Sequence, residues 1–149
     1  MTKETTQQSE AGSAEVRPSE FDRLKAADLM QPAVQAAHVQ TKADVIASMM
    51  IEGFGGVPIV DERRRLVGIV TEFDLLAALD QGKRLGDLSA QDIMTRTVVS
   101  VDEHTDVRTL LYVLQTNHVI RVPVVNREGL LTGIVARRDV LQGYLASGG

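Results

Sequence analysis

The strongest constraint on the fold of this chain is an internal repeat. Residues 57–74 (VPIVDERRRLVGIVTEFD) recur as residues 122–139 (VPVVNREGLLTGIVARRD) at a constant offset of 65 positions, and eight of the eighteen aligned positions are identical. Each copy is typical of two short β-branched strands joined by a polar turn and followed by a helix that begins at Thr71 or Ala136. Because a repeated segment is expected to fold as a repeated unit, this duplication constrains the whole architecture.

Related segments precede each copy. Asp28-Leu29-Met30 is echoed by Asp92-Ile93-Met94, 64 positions later. A short strand is predicted next, within 34–39 in the first copy and at 98–101 in the second. A helix then follows, indicated by apolar residues at helical spacing, regular in the second copy (Val107, Leu110, Leu111 and Leu114) and less regular in the first (Val45, Ile46, Met49 and Met50).

These elements predict an α/β (α+β) fold made of two β-α-β-β-α repeats. Since a unit of about sixty residues buries too little surface to be stable alone, we expect the two repeats to pack sheet to sheet with pseudo-two-fold symmetry. The cleft between them is then the natural place for a ligand. Glycines at 53, 55 and 56 are expected to end the helix before the first hairpin. The predicted boundaries are a disordered tail at 1–18, repeats at 19–81 and 89–146, and a polar connector at 82–88.

Composition argues against several classes of function. The chain has 149 residues, a formal net charge of −4 and no cysteine, which disfavours nucleic-acid binding and excludes disulfides and thiolate chemistry. We find no run of roughly 20 apolar residues for a membrane span and no apolar signal segment at the start, so a cytoplasmic location is expected. The three histidines are scattered, and neither catalytic residues nor a metal site is predicted.

The repeated Asp74 and Asp139 are the main candidates for chemistry. Thr71 and Asp74 are spaced as a capping box, so helix capping alone can explain the carboxylate. However, Asp139 is retained where Ala136 replaces the threonine, and a carboxylate can accept both hydroxyls of a ribose. A helix N-terminus that faces a cleft also attracts anions. Both interpretations, cap and ligand site, stay open at this point.

The doubled order strand-Pro-strand-Gly-x-x-Thr-x-x-Asp-helix, with its Asp-Leu-Met and Asp-Ile-Met openers, closely resembles the CBS domain family, and the pair resembles a Bateman module over roughly residues 26–146. The resemblance implies a sensor of adenosine ligands (AMP, ADP, ATP or S-adenosylmethionine), bound without covalent attachment. It also implies a homodimer in the form of a flat disc, and a regulatory role such as energy sensing exerted on another protein.

The resemblance further implies that the aspartate of each copy receives the ribose hydroxyls, with the threonine beside the ribose and phosphate. Residues around the proline, together with the first strand, would wall in the adenine. Arg121, Arg137 and Arg138 become candidates for contacts with phosphate, although an exposed, solubilising role explains them equally well. Since Ala136 lacks a hydroxyl, we expect the second site to be weaker or to prefer another ligand. The full candidate set is Pro58, Ile59, Ile69, Thr71, Phe73 and Asp74 in the first copy, and Arg121, Pro123, Val124, Ile134, Ala136, Arg137, Arg138 and Asp139 in the second.

Two other functions remain as alternatives. The protein could be a structural adaptor for dimerisation or partner docking whose nucleotide sites are vestigial, as the missing hydroxyl at Ala136 would suggest. An enzyme is the third hypothesis, and the sequence offers no nucleophile, base and orienting residue to support it. The leading hypothesis is therefore a non-catalytic module that binds an adenosine ligand.

Overall fold

The computed structural model describes residues 19–52 and 55–148. The predicted tail at 1–18 and two residues of the predicted glycine-rich helix end, Gly53 and Phe54, lie outside the described residues. Within the described ranges, no helix is both long enough and apolar enough to cross a membrane.

Helices and strands follow one another in the same order in the two halves, which confirms the predicted tandem α/β repeat. Short 3-10 turns at Phe21–Arg23 and Leu85–Asp87 open each half. The elements of the first half are α1 (Ala26–Leu29), β1 (Ala37–His38), α2 (Ala43–Ile51), β2 (Gly56–Val60), β3 (Leu66–Thr71) and α3 (Glu72–Asp80). Those of the second half are α4 (Ala90–Ile93), β4 (Val101–Asp102), α5 (Val107–Thr116), β5 (Arg121–Val125), β6 (Leu131–Ala136) and α6 (Arg137–Ala146).

Each half builds one mixed, three-stranded sheet. β1 runs parallel to β2, and β2 pairs antiparallel with β3; β4, β5 and β6 repeat that order. The register is also repeated, since Pro58 lies opposite Ile69 and Pro123 lies opposite Ile134. The two hairpins are bridged where Leu66 N donates to Gly129 O at 3.0 Å. The expected packing of two similar sheets is therefore observed.

The strand β4 is shorter than the sequence pattern suggests and lies later in the chain. Only Val101 and Asp102 pair with β5, opposite Val124 and Val125, so the predicted strand at 98–100 is wrong. A β-branched run shows where apolar side chains are buried, but it does not show where the hydrogen-bonded ladder begins. In the first half, by contrast, β1 falls within the predicted range of 34–39.

The predicted helical faces are largely confirmed. In α5, Val107, Leu110 and Leu114 are buried. In α2, Ile46 is buried, whereas Val45 is 52% exposed. The helix α2 is therefore anchored by a narrower apolar face than its sequence suggests.

The opening helices are exchanged between the halves. The helix α1 belongs to the first repeat, yet Ala26 and Leu29 pack in the core of the second half with Val107. Backbone hydrogen bonds hold it there, since Ala26 N donates to Thr105 O at 2.8 Å. The helix α4 packs on the first half in the same way, where Ala90 N donates to Thr41 O at 2.8 Å. Each half therefore completes its core with a helix from the other.

This exchange explains the glycine of the repeated Gly-Ile-Val segment. A Cβ atom on Gly68 would stand 2.6 Å from Met94 Sδ, and one on Gly133 would collide with Met30 Sδ. Both methionines end the exchanged segments, so each sheet is approached closely by the opposite half. Glycine is needed here because only a residue without a side chain leaves room for that approach.

Candidate functional site

The segments that follow the exchanged helices place a polar residue beside each repeated aspartate. Gln31 forms an antiparallel bridge with Ile134 of β6, in which Gln31 N donates to Ile134 O at 2.8 Å. Thr95 forms the equivalent bridge with Ile69 of β3, in which Thr95 N donates to Ile69 O at 2.8 Å. The segment after α1 thus pairs with the edge strand β6 of the second half, and the segment after α4 pairs with the edge strand β3 of the first half. Both pairs lie close to the start of the helix that follows the strand, α6 or α3.

Asp139 stands in the first turn of α6 and is only 7% exposed. Its Oδ2 accepts a hydrogen bond from Ala136 N at 2.7 Å, and its Oδ1 accepts one from Gln31 Nε2 at 3.1 Å. The first bond caps the helix and the second ties the two halves together. A carboxylate has about four lone-pair positions, so Asp139 keeps acceptor capacity for a ligand.

Asp74 occupies the equivalent position in α3 with one more donor. Its Oδ2 accepts from Thr71 N at 2.8 Å and from Thr71 Oγ1 at 3.0 Å, and its Oδ1 accepts from Thr95 Oγ1 at 3.2 Å. Asp74 N in turn donates to Thr71 Oγ1 at 3.3 Å, which completes the predicted capping box. The hydroxyl groups of two threonines therefore already hold this carboxylate.

Capping geometry alone does not identify a ligand site in this chain. Asp28 accepts from Lys25 N at 2.8 Å and Asp92 accepts from Ser89 N at 2.9 Å in the same manner. The backbone N–H of Ser89, followed by its hydroxyl, lowers the pKa of Asp92 below its ordinary value. Because Ala136 still donates its N–H, capping can explain why Asp139 is retained. What distinguishes Asp74 and Asp139 is the other carboxylate oxygen, which accepts from the segment of the opposite half.

A cavity of about 310 Å³ opens beside Asp139. A second cavity of about 270 Å³ adjoins it and reaches Gly56 and Pro58 of the first half, so together they cross the boundary between the repeats. Their combined size suits a small ligand, since such pockets measure roughly 300–1,000 Å³. The first is lined by Gln31, Arg121, Ile134, Ala136, Arg138, Asp139 and Gln142; the second shares Gln31, Arg121 and Ile134 and adds Ala33, Val34, Gln35, Gly56 and Pro58.

Two arginines make one side of this cavity positive. Arg121 begins β5 and is half-buried, and Arg138 is exposed in the first turn of α6. Among residues 19–52 and 55–148, no carboxylate oxygen lies within 4.0 Å of either guanidinium. Cations near a helix N-terminus are electrostatically unfavourable, so an anion placed between them and the helix would be stabilised.

The structure places part of the candidate set at these cavities and part elsewhere. Ile59, Pro123 and Val124 are fully buried in the sheets. Arg137 is turned away, with its Nε donating to Val119 O at 2.9 Å. Phe73 is 83% exposed on α3. Those that line the cavities are Pro58, Arg121, Ile134, Ala136, Arg138 and Asp139.

The candidate set does not include six of the lining residues, namely Gln31, Ala33, Val34, Gln35, Gly56 and Gln142. Gln31 and Val34 come from the segment between α1 and β1, and Gln142 comes from the second turn of α6. Gln31 carried a usable signal, since it follows Asp-Leu-Met as Thr95 follows Asp-Ile-Met. In the described part of the chain, no group of three or more histidine or acidic side chains is arranged to hold a metal ion.

The chain belongs to the CBS domain family. The family model described as "CBS domain" matches residues 26–81 and 90–146, and this match confirms the tandem pair predicted from the repeat.

Curated relatives match over most of this chain but over only part of their own length. An uncharacterized protein of Methanopyrus kandleri is 33% identical over 110 residues, which are 73% of this chain and 56% of the relative. Inosine-5'-monophosphate dehydrogenase of Methanocaldococcus jannaschii is 30% identical over 132 residues, which are 87% of this chain and 26% of the enzyme. The chain therefore spans about half of the first relative and a quarter of the second.

Solved structures of similar proteins contain adenosine compounds. CBSX2 of Arabidopsis thaliana, solved in complex with AMP, superposes with a TM-score of 0.73 at 26% identity, covering 84% of this chain and 98% of that one. The CBS domain pair of protein MJ0100, in complex with 5'-methylthioadenosine and S-adenosyl-L-methionine, gives a TM-score of 0.69 at 28% identity, covering 83% and 97%. CBS pairs similar to this chain thus bind ligands that share an adenosine group.

Proposed function

We propose that this protein is a non-catalytic regulatory module that binds an adenosine ligand between its two CBS domains, with Asp139 accepting the ribose hydroxyls. The observation that carries the proposal is the cavity itself, which both halves line and into which Asp139 and two arginines are set. The cavity at Asp139 is polar, and the adjoining cavity has apolar walls. This arrangement suits a nucleoside, which joins a polar sugar to a less polar base.

The adjoining cavity supplies the surroundings proposed for the adenine. Val34, Pro58 and Ile134 give it aliphatic walls, in keeping with a chain in which only 3% of residues are aromatic. The ligands of CBSX2 and of the MJ0100 pair agree on the adenosine group and differ beyond it. AMP, ADP, ATP and S-adenosylmethionine are therefore the candidate ligands, all bound without covalent attachment.

Regulation would follow from the position of the site between the halves. A ligand at Asp139 also contacts Gln31, which belongs to the first repeat. Gln31 donates a hydrogen bond to Asp139 of the second repeat, so the ligand would act on a contact between the repeats. Binding can shift the arrangement of the repeats only as far as the ligand discriminates between two arrangements, typically about 1–3 kcal/mol. We expect that shift to be read by a second copy or by a regulated protein in the cytoplasm.

Exposed apolar side chains on two helices support homodimerisation as part of the proposal. On α3, Phe73 and Leu76 are three residues apart and are 83% and 60% exposed. On α6, Leu141 and Leu145 are four residues apart and are 65% and 74% exposed. Within each helix these side chains lie on one face, and exposed apolar patches often mark protein interfaces. Membranes and nucleic acids are not part of the proposal.

The alternative function, an adaptor with vestigial nucleotide sites, is favoured by one observation at the first site. There the threonine hydroxyls already hold the carboxylate of Asp74. An adaptor would dimerise or bind its partner equally well with and without nucleotide, which light scattering in both conditions would reveal.

A thermal-shift screen with AMP, ADP, ATP and S-adenosylmethionine tests the proposal. A ligand at about 100 times its Kd stabilises the native state by about 2.7 kcal/mol, so at least one compound should raise the Tm. Asp139→Ala should abolish that rise. Asp92→Ala, which removes a similar helix cap away from the cavity, should retain it. No rise with any of the four compounds, or an equal rise in Asp139→Ala, would contradict the proposal.

A further inference from the structure

We infer that the two pseudo-symmetric sites of this CBS pair are chemically unequal, so that each chain binds one ligand, an adenosine 5'-phosphate, at Asp139. This inference rests on the proposed function and adds to it the site that is used and the class of ligand. Three differences between equivalent positions of the two halves support it.

The first difference is charge. Arg121 and Arg138 line the cavity at Asp139, whereas the positions 65 residues earlier are Gly56 and Phe73. A phosphate can accept charge-assisted hydrogen bonds from both guanidinium groups. The equivalent positions at Asp74 offer no such donor, so a phosphate there would meet no cation from these two positions.

The second difference is the acceptor capacity of the aspartate. Asp74 receives three protein donors, namely Thr71 N, Thr71 Oγ1 and Thr95 Oγ1. Asp139 receives two, Ala136 N and Gln31 Nε2. With about four lone-pair positions per carboxylate, Asp139 can accept two further hydroxyls and Asp74 only one. A vicinal diol requires two, so the alanine at 136 favours ribose binding rather than weakening it.

The third difference is an additional polar group. Gln142 lines the cavity at Asp139, and its equivalent 65 residues earlier is Ala77. The side-chain amide of Gln142 lies one helical turn beyond Arg138. It can donate a hydrogen bond to a phosphate or to a ribose hydroxyl. At these equivalent positions the second half therefore offers two cations, one more free acceptor position and one more amide than the first.

The same charges select among adenosine compounds. Opposite charges at close range attract and like charges repel, so two guanidinium groups favour the phosphate of AMP and disfavour the sulfonium of S-adenosylmethionine. Adenosine, which has neither charge, is expected to bind between these extremes.

Calorimetric titration of the full chain with AMP, adenosine and S-adenosylmethionine tests this inference. We expect one AMP per chain and an affinity order of AMP, then adenosine, then S-adenosylmethionine. Arg121→Gln and Arg138→Gln should each lower the affinity for AMP by roughly tenfold to a hundredfold, the usual effect of losing a hydrogen bond to a charged group. The loss of affinity for adenosine, which has no phosphate, should be much smaller in both variants. Arg127→Gln is the matched control, because it removes the same charge from the exposed turn between β5 and β6.

The site assignment is tested by Asp74→Ala and Asp139→Ala, each checked for folding by its thermal transition. Asp139→Ala should remove AMP binding and Asp74→Ala should leave it intact. Two AMP per chain, loss of binding in Asp74→Ala, or S-adenosylmethionine binding tighter than AMP would overturn the inference while leaving the proposed function in place. An absence of heat with all three compounds would overturn both.

Discussion

The two oxygens of Asp139 have different partners, and this division is the feature of the site that a single substitution can probe. Oδ2 accepts from the backbone of its own helix, and Oδ1 accepts from Gln31 of the other repeat. Helix stability therefore depends on one oxygen, while the contact with the other half, and in our proposal with ribose, depends on the second. An asparagine keeps one oxygen acceptor, whereas an alanine keeps none.

We predict that Asp139→Ala lowers the free energy of unfolding by about 1 kcal/mol, the usual cost of losing a helix cap. Asp139→Asn should cost less, because its amide oxygen can still accept from Ala136 N. Both substitutions should abolish AMP binding, since neither leaves two acceptors for a diol. Denaturant unfolding and calorimetric titration of the three proteins measure the two effects separately. Wild-type AMP affinity in Asp139→Asn would show that the carboxylate serves only as a cap.

The sequence predicted the aspartates but not their surroundings. The repeat itself identified Asp74 and Asp139, since both survive where most of the turn sequence has diverged. Spacing along one strand could not show that Ile59 and Val124 point into the cores, nor that Arg137 bonds to Val119 O. Gln31 was missed because it reaches Asp139 from 108 positions away. Contacts between repeats depend on the exchange of the opening helices, which no local pattern reveals.

At the scale of elements, the exchanged helices α1 and α4 help to join the halves through close contacts. Leu29 of α1 lies against Gly143 of α6, where a Cβ atom would collide with it. Ala78 is the equivalent residue of α3, and it too is buried. Small residues at these positions allow the exchanged helices to approach closely, which brings Gln31 and Thr95 to the sheet edges.

The contact between Gly133 and Met30 allows this exchange to be tested. Gly133→Ala should lower the free energy of unfolding by about 1–3 kcal/mol, because the new methyl group overpacks the sheet against the methionine. Met30→Ala removes the collision, so the double variant should be more stable than the sum of the single changes predicts, by about 0.5–3 kcal/mol. Chemical denaturation of the four proteins gives this coupling. Strict additivity would mean that the two residues, one in each repeat, are not in contact.

The helix α5 provides a prediction about pH. Asp106 caps it by accepting from Thr109 N at 2.8 Å, and the backbone N–H and hydroxyl of Thr109 lower the pKa of Asp106 below its ordinary value of 3.8. A carboxylate whose pKa is lowered on folding stabilises the protein fully above that ordinary value and loses the effect as the pH falls through the lowered pKa.

We therefore expect the contribution of Asp106 to the Tm to be constant near neutral pH and to be lost as the pH falls below about 4. Asp106→Asn keeps a good capping residue that does not titrate, so its Tm should fall less steeply than that of the wild type in acid. Thermal melts from neutral pH into the acid range provide the comparison. Parallel curves for the two proteins would contradict the assigned role of the cap.

At the scale of the whole molecule, the exchange makes the two repeats parts of one folding unit. Phe21, Ala26 and Leu29 complete the core of the second half, and Ala90 and Ile93 complete that of the first. A division at the predicted boundaries, 19–81 and 89–146, would therefore cut through both cores.

We predict that the intact chain unfolds in one cooperative transition and that the separate fragments 19–81 and 89–146 do not fold. Each fragment would lack the helix that closes its core and would expose apolar surface, as small domains can seldom tolerate. Calorimetry of the chain and circular dichroism of the fragments are suitable measurements. Cooperative melting of either fragment alone would show that the exchanged helix is dispensable.

The central claim, that Asp139 holds the ribose of an adenosine ligand, is tested most directly by removing the ribose hydroxyls instead of the carboxylate. Calorimetric titration should show that 2',3'-dideoxyadenosine monophosphate binds the wild-type protein much more weakly than AMP, because the two hydroxyls that would donate to the carboxylate are absent. Asp139→Ala should bind neither nucleotide measurably. Equal affinity of the wild-type protein for AMP and its dideoxy analogue would contradict the claim.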